Sequence, residues 1–299
     1  SAEDSQEALK KANIALKKAK EFLRGSHCYF TREMEMETEN RVRLLHNLRK
    51  AFDSDRLFMV YQPQVNVVDG RPVGVEALLR WRTEEGEMVP PDRFIPLAES
   101  SGLIIHLGEW VMRTAMFQLK RLKKQTTFKL RMGINVSMSQ FKHPDFLSVL
   151  DRAIADSGVD HSEIELEITE SIAMLDRMAV NRTLSAIADR GIKIAIDDFG
   201  TGFSSLSYLE QLQVHRLKID KSFIDKLQGK AADTRLSEMI VNLAKDLDLD
   251  VIAEGVETEE QAEWLKKIHC TEAQGYLYAR PLEPNWLVEW LREQEVRFA

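Results

Sequence analysis

Apolar residues recur along this chain in two rhythms, and the change between them comes near Leu57. Before it, Ala8, Ala12, Ala15 and Ala19 with Leu9, Leu16 and Leu23 fall at helical spacing, lysines mostly opposite, which predicts a helix over 7–24 stopped near Gly25. A short extended piece, HCYF, follows, and then a helix over 35–52 with Val42, Leu45, Leu48 and Phe52 on one stripe. From Leu57 onward, short β-rich runs alternate with amphipathic helices. Strands are expected at LFMVYQPQV, PVGVEALL, LRMGINV, IELEIT, IKIAIDD, RLKI, VIAE and EAQGYLY. Helices are expected at about 104–123, 144–156, 174–190, 205–212, 234–247, 259–268 and 285–292. Thr258-Glu259-Glu260-Gln261 has capping-box spacing at one of those starts. Such alternation, with no glycine-rich dinucleotide turn after the first strand, predicts an α/β chain closed into a (β/α) barrel rather than an open Rossmann sheet. Two opening strands before any helix are irregular for a simple barrel.

Composition narrows the function. The 299 residues are 44% hydrophobic and 30% charged, enough for one large domain or two ordinary ones. No apolar run approaches the roughly 20 residues of a membrane span, and SAEDSQEALKKA lacks the apolar core of a signal peptide, so a soluble chain is expected. Cys28 and Cys270 have neither CxxC spacing nor the density of a disulfide scaffold, which favours a reducing cytoplasm. The histidines show no HxxxH spacing for a histidine-rich metal site. A net charge of −7 argues against broad binding of a nucleic-acid polymer, yet leaves room for a small anion if cations accompany it. The basic run KKANIALKKAK lacks interleaved aromatics and reads as a solvated helix face.

Candidate chemistry lies where polar residues interrupt apolar strands. In GVEALLRWR, alternation places Val75, Ala77, Leu79 and Trp81 on one face and Glu76, Leu78 and Arg80 on the other. Glu76 and Arg80 would lie roughly 13 Å apart along an extended strand, too far for a local ion pair. Asn135, Glu167, Asp197, Asp198, Lys218, Glu254 and Gln274 interrupt other runs, mostly near their C-terminal ends, the face where barrel active sites are built. Singly, each has a plain explanation: Asp198 suits a helix cap, and Glu170 the first turn of a helix. Together, clustered carboxylates in a low dielectric require cations to keep their charge. All-oxygen ligands select Mg²⁺ or Mn²⁺, and two such ions can activate water and stabilise both oxygens of a phosphodiester displacement. Lys218 then stands as a fixed cation near the water or phosphate, and Arg80 as a phosphate contact.

Other motifs do not hold. Asp198-Phe199-Gly200 spells the kinase DFG, but no HRD loop or glycine-rich lid accompanies it. Gly202-Phe203-Ser204-Ser205-Leu206 is not GxSxG, and no GxxxxGK[ST] loop occurs. Gly200 and Gly202 are most simply loop flexibility or close packing beside the aspartates.

From about Arg41 to the C-terminus the chain resembles the EAL-domain phosphodiesterases of bacterial cyclic di-GMP signalling. The motifs are YQPQV, VEALLRW, FIPLAESSGLI, INVS, LEITES, DDFGTGFSSL, LKIDKSF, AEGVET and QGYLYARPL. The resemblance implies a modified (β/α)8 TIM-type barrel with one antiparallel strand, preceded by an N-terminal helical segment. It implies that two Mg²⁺ or Mn²⁺ ions serve hydrolysis of one phosphodiester of cyclic di-GMP to linear pGpG. By motif, Glu76, Asn135, Glu167, Asp197 and Asp198 bind metal, Asp197 bridging and Asp198 on the second ion. Lys218 orients the hydrolytic water, and Glu254 positions or deprotonates it. Gln62 and Arg80 contact substrate, and Gln274 joins the site, through water in one version. Glu170, Phe199 and Gly200 organise the DDFGTGFSSL loop, which with the following helix joins a homodimer interface in this family. The matched positions are intact, which favours an enzyme over a catalytically silent cyclic di-GMP receptor or an interaction scaffold. Gln64 departs from the family's usual apolar residue, and Phe203 from its usual tyrosine.

The N-terminus carries a shorter resemblance. EALKKANIALKKAKEF with HCYF is similar to the last helix and strand of a GGDEF diguanylate cyclase domain, with Lys17 in place of the usual tyrosine and no GGDEF signature. The implied division is a remnant over 1–34, a connecting helix over 35–52 and an EAL domain over 53–299, with a parent protein anchored upstream or not.

Overall fold

The computed structural model describes residues 2–22, 27–173, 177–201, 209–225 and 235–299. The chain forms two compact units, Ser1–Leu57 with Trp81–Ser101, and Phe58–Arg80 with Gly102–Ala299.

In the first unit, helices Ala2–Phe22 and Arg32–Phe52 match the two expected near the N-terminus. Thr31 caps the second by accepting the Met34 N–H. The expected stripes need correction. Ala15 and Ala19 are buried, but Leu9 and Leu16 are exposed, and in the second helix Leu48 and Ala51 are buried while Val42 is exposed. Small alanines permit close helix approach, and Lys10 and Lys18 then reach across to Glu35 and Glu37 instead of facing away. HCYF is not a strand. A helix at Pro91–Ser101 was not among those expected, and it contains Pro96. Pro91 begins it, where a missing N–H costs nothing, and the helix buries Phe94, Leu97 and Ala98. Phe94 stacks edge-on against Trp81 at 5.7 Å.

The second unit holds the barrel. Its strands are β1 (Leu57–Asn66), β2 (Pro72–Arg82), β4 (Arg131–Asn135), β5 (Ile164–Thr169), β6 (Lys193–Phe199), β7 (Arg216–Ile219), β8 (Asp250–Ala253) and β9 (Glu272–Gln274). The order β1-β9-β8-β7-β6-β5-β4-β2 closes through a β1–β2 pairing, and short β3 (Met88–Val89) adds to the β2 end. β1 runs antiparallel to β9, whereas β2 and β4 to β9 are mutually parallel, which accounts for the two opening strands. This is the expected modified (β/α)8 barrel with one antiparallel strand.

Helices Leu103–Leu122, Phe146–Ser157, Arg177–Ala188, Arg235–Asp246, Glu259–Lys267 and Pro284–Arg297 follow the expected amphipathic segments. Their apolar faces and the outward strand residues, among them Val75, Ile134, Leu166, Ile194 and Leu217, share one core. The expected capping box forms at Thr258 and Gln261. Among the described residues, no helix is long and apolar enough to cross a membrane. The first half of the helix expected over 205–212, residues 205–208, lies outside the described residues. The strand expected over EAQGYLY ends at Gln274, because Tyr278 N–H turns back to the Gly275 carbonyl at 3.1 Å. Short helices at Met138–Phe141, His161–Glu163 and Lys221–Asp225 were not expected; three to five residues carry too little periodicity to read.

Candidate active site

Glu76, Asn135, Glu167, Asp197, Lys218, Glu254 and Gln274 come from six different strands and one strand end, and the barrel brings them to one place. Asn135 and Gln274 end β4 and β9, and Glu254 directly follows β8. Register sets neighbours: Asn135 lies opposite Glu167, and Glu76 opposite Gly133. A Cβ on Gly133 would stand 2.1 Å from Glu167 Oε1, so the glycine is what lets that carboxylate lean across β4.

Lys218 is the hub. Its Nζ lies 2.5 Å from Glu167 Oε2, 2.7 Å from Glu254 Oε1, 3.0 Å from Asp197 Oδ1 and 3.7 Å from Glu76 Oε1. Asn135 Nδ2 donates to Glu76 Oε1 at 2.7 Å, and Gln274 Nε2 donates to Glu76 Oε2 at 2.6 Å. The lysine and Glu167 are each only 1% exposed.

Burial alone would strip the lysine's charge, but Asp197, Glu167, Glu254 and Glu76 outweigh it and hold the ammonium well above its usual pKa. Burial pushes the Glu76 carboxyl up, yet Lys218 and the two amide donors prevail and keep it below the usual value. Burial and the neighbouring Glu76 drive Glu167 well above it. Burial pushes Glu254 up to about 8 despite Lys218. Asp198 is raised by burial and by Asp197. The cluster therefore holds more acid than its one lysine can keep ionised.

That excess fits a metal. Glu167 Oε1 is buried with no hydrogen-bond partner, and Asp197, Asp198 and Glu254 each offer a carboxylate oxygen within 4.8 Å of the others. The donors are all oxygen, a set for a hard cation.

The remaining expected residues are placed as follows. Asp198 lies in β6 at φ 55, where the β6–β7 register shifts; its N–H donates to Asp197 Oδ1 at 3.0 Å and its carbonyl receives the Thr201 hydroxyl at 2.9 Å. Glu170 opens the helix Glu170–Ala173 and also accepts the Gly200 N–H at 3.0 Å, so it is a first-turn acid and a loop anchor at once. Phe199 is buried in the core, and Gly200, at φ 98, passes against Phe223 and Ile240. Gln62 receives Gln274 Nε2 at 3.0 Å and donates to the Ala279 carbonyl at 3.2 Å. Arg80 is part-buried and donates to the Leu79 carbonyl at 2.9 Å; burial lowers its pKa, and the nearby Glu76 charge opposes that. Gly202 and Phe203 lie outside the described residues, as does the middle of the segment expected to form a dimer interface, residues 202–208.

Sequence reasoning missed a second polar layer, at the strand beginnings: Arg131, Glu165, Arg216 and Glu272. Arg216 pairs with Glu165 at 2.9 Å and Glu272 at 2.9 Å, and Arg131 pairs with Glu165 at 3.2 Å and with Glu272. The available signal was period two. Glu165, Arg216 and Glu272 each stand two positions before Glu167, Lys218 and Gln274, on the same inward face.

An eight-stranded barrel with a carboxylate cluster at the strand C-termini sets candidate metal ligands where barrel active sites are built. Residues 45–281 match the model of the EAL domain, and the chain belongs to that family. It is 38% identical over 277 residues to the bifunctional diguanylate cyclase/cyclic di-GMP phosphodiesterase MucR of Pseudomonas aeruginosa, covering 93% of this chain and 40% of that protein. It is 36% identical over 290 residues to the cyclic di-GMP phosphodiesterase NbdA of the same organism, covering 97% of this chain and 37% of the relative. The chain thus spans about two-fifths of the length of these relatives. Among solved structures, the MucR phosphodiesterase in complex with c-di-GMP superposes with a TM-score of 0.79 at 40% identity, covering 82% of this chain and 99% of that one.

Proposed function

We propose that this chain is a metal-dependent phosphodiesterase module that hydrolyses one phosphodiester of cyclic di-GMP to linear pGpG. The observation that carries the proposal is the buried carboxylate cluster around Lys218, with Glu167 Oε1 unpartnered inside it. Family membership and the named activities of MucR and NbdA support the choice of substrate.

In this reading Glu76, Asn135, Glu167, Asp197 and Asp198 would hold two Mg²⁺ or Mn²⁺ ions. When bound, the ions supply Lewis acidity and an acidified water. Lys218 holds the incoming oxygen in place and neutralises charge that develops at phosphorus. Glu254, 2.7 Å from Lys218 Nζ, positions that oxygen or takes its proton. Arg80 and Gln62 receive the dinucleotide, and Glu170 with Phe199 and Gly200 keeps the Asp197-Asp198 loop in its working position. A cytoplasmic location, a homodimer through the loop after Asp198, and the division at residues 34 and 52 complete the proposal.

The test is incubation with cyclic di-GMP and Mg²⁺ or Mn²⁺, with and without chelator, the products resolved by chromatography. Linear pGpG that appears only with metal is expected. Its absence with either metal would reject the activity.

A further inference from the structure

Behind the cluster runs a line of amides whose direction is fixed at both ends. Arg131 Nη2 donates to Gln64 Oε1 at 2.8 Å, Gln64 Nε2 donates to Gln274 Oε1 at 3.0 Å, and Gln274 Nε2 donates to Glu76 Oε2 at 2.6 Å. An arginine can only donate and a carboxylate can only accept. The guanidinium therefore holds the oxygen of Gln64 towards itself, turns the Gln64 amide nitrogen to Gln274, and so presents N–H rather than carbonyl oxygen to Glu76. The same Gln274 nitrogen also donates to Gln62 Oε1, which leaves the Gln62 nitrogen for the Ala279 carbonyl. Gln64 is fully buried, and a Cβ on Gly74 would stand 2.7 Å from its oxygen and 2.9 Å from Arg131 Cγ, so the strand opposite is hollowed to admit this contact. Arg131 is in turn held by Glu165 and Glu272.

We infer that Gln64 is a positioning residue: it relays the donor-only polarity of Arg131 through Gln274 and thereby orients the Glu76 carboxylate for metal. Gln274, with its oxygen and nitrogen both engaged inside the barrel, acts as the second member of this relay. The inference rests on the proposed role of Glu76 as a metal ligand.

The relay predicts an effect of polarity rather than of volume. Gln64→Glu keeps the shape and the Arg131 contact but removes the donor. Gln274 then turns its nitrogen to residue 64 and its oxygen to Glu76. Gln64→Met cuts the relay without reversing it. Mn²⁺ binding is measured by calorimetry without substrate, and the melting temperature without metal reports folding. The expected order of affinity is unaltered chain, then Met, then Glu, with Glu lower by about 10-fold or more, the scale of losing an outer-shell partner.

Equal affinities would overturn the relay. So would a Met variant weaker than the Glu variant, the order that packing predicts, since glutamate is the closer isostere. If the Glu variant does not fold, the Met variant decides: unchanged affinity overturns the relay and a loss supports it. A chain that binds Mn²⁺ but does not cleave cyclic di-GMP rejects the proposed activity and leaves the relay standing. A chain that binds no Mn²⁺ rejects both.

Discussion

At Lys218 one ammonium stands among four carboxylates, and its contacts follow from strand position rather than from neighbours in sequence. In the proposed reading the lysine shares its carboxylate oxygens with metal, so its removal separates two roles. Lys218→Met should lower the melting temperature of the metal-free chain, since buried acids then lose their cation, and Mn²⁺ should restore it. Turnover should fall by about 10²–10³, the scale of losing one transition-state donor, while metal occupancy stays high. Lost occupancy with near-normal turnover per bound metal would reassign the lysine to structure. Glu76→Ala should act the other way, abolishing turnover through lost metal binding while the fold, read by circular dichroism, persists. Full activity in that variant would reject its role. The residues gathered at this end were legible because a charged side chain inside an apolar strand has few reasons to be there. Gln64 was visible only as an unusual amide, because an uncharged polar residue beside Pro63 announces no partner; the partner, Arg131, lies 67 positions away.

On the scale of elements, β4 shows how a strand serves a site by what it lacks. RMGIN places Arg131, Gly133 and Asn135 inward, and the middle position is empty of side chain so that Glu167 can reach across. Gly133→Ala should displace that carboxylate from Lys218, weaken Mn²⁺ binding and destabilise the chain by about 1–3 kcal/mol, as overpacking does. Unaltered Mn²⁺ titration and melting would show that Glu167 does not need this gap. The barrel strands were legible from β-branched runs such as IKIAI and VIA, whose outward faces pack under helices. What was not legible came from local chemistry that overrides the average. Proline starts the helix Pro91–Ser101 instead of preventing it, and backbone turning after Gly275 ends β9 early despite the strand-forming Tyr276 and Tyr278. In the first helix, alanine packing leaves Leu9 and Leu16 exposed, because periodicity marks a face without saying which half of it a neighbour covers.

Across the barrel as a whole, the interior is polar in two layers with different balance. The upper layer has an excess of acid and is suited to take cations; the lower layer sets Arg131 and Arg216 against Glu165 and Glu272 and is close to balanced, with the more exposed Asp250 also 3.3 Å from Arg216. A balanced layer should act on stability at any metal concentration, and its pH dependence has a definite sign. Burial pushes the Glu165 carboxyl up, but Arg216 and Arg131 prevail and hold its pKa below the ordinary value. A carboxyl depressed in the folded state contributes stability in full above its unfolded pKa, about 4.3, and loses it as pH falls through the lower folded value. Glu165→Gln takes one partner from the buried Arg216 and the part-buried Arg131, both of which keep Glu272, and should cost up to about 3 kcal/mol near neutral pH. The gap between the unaltered chain and this variant should hold from pH 7 to about 5 and then narrow below about 4.3, as protonation removes in the former what substitution removed in the latter. Chemical denaturation at a series of pH values, with chelator present to silence the upper layer, measures that gap. A gap that stays constant down to acid unfolding would mean that Glu165 contributes by packing and not by charge.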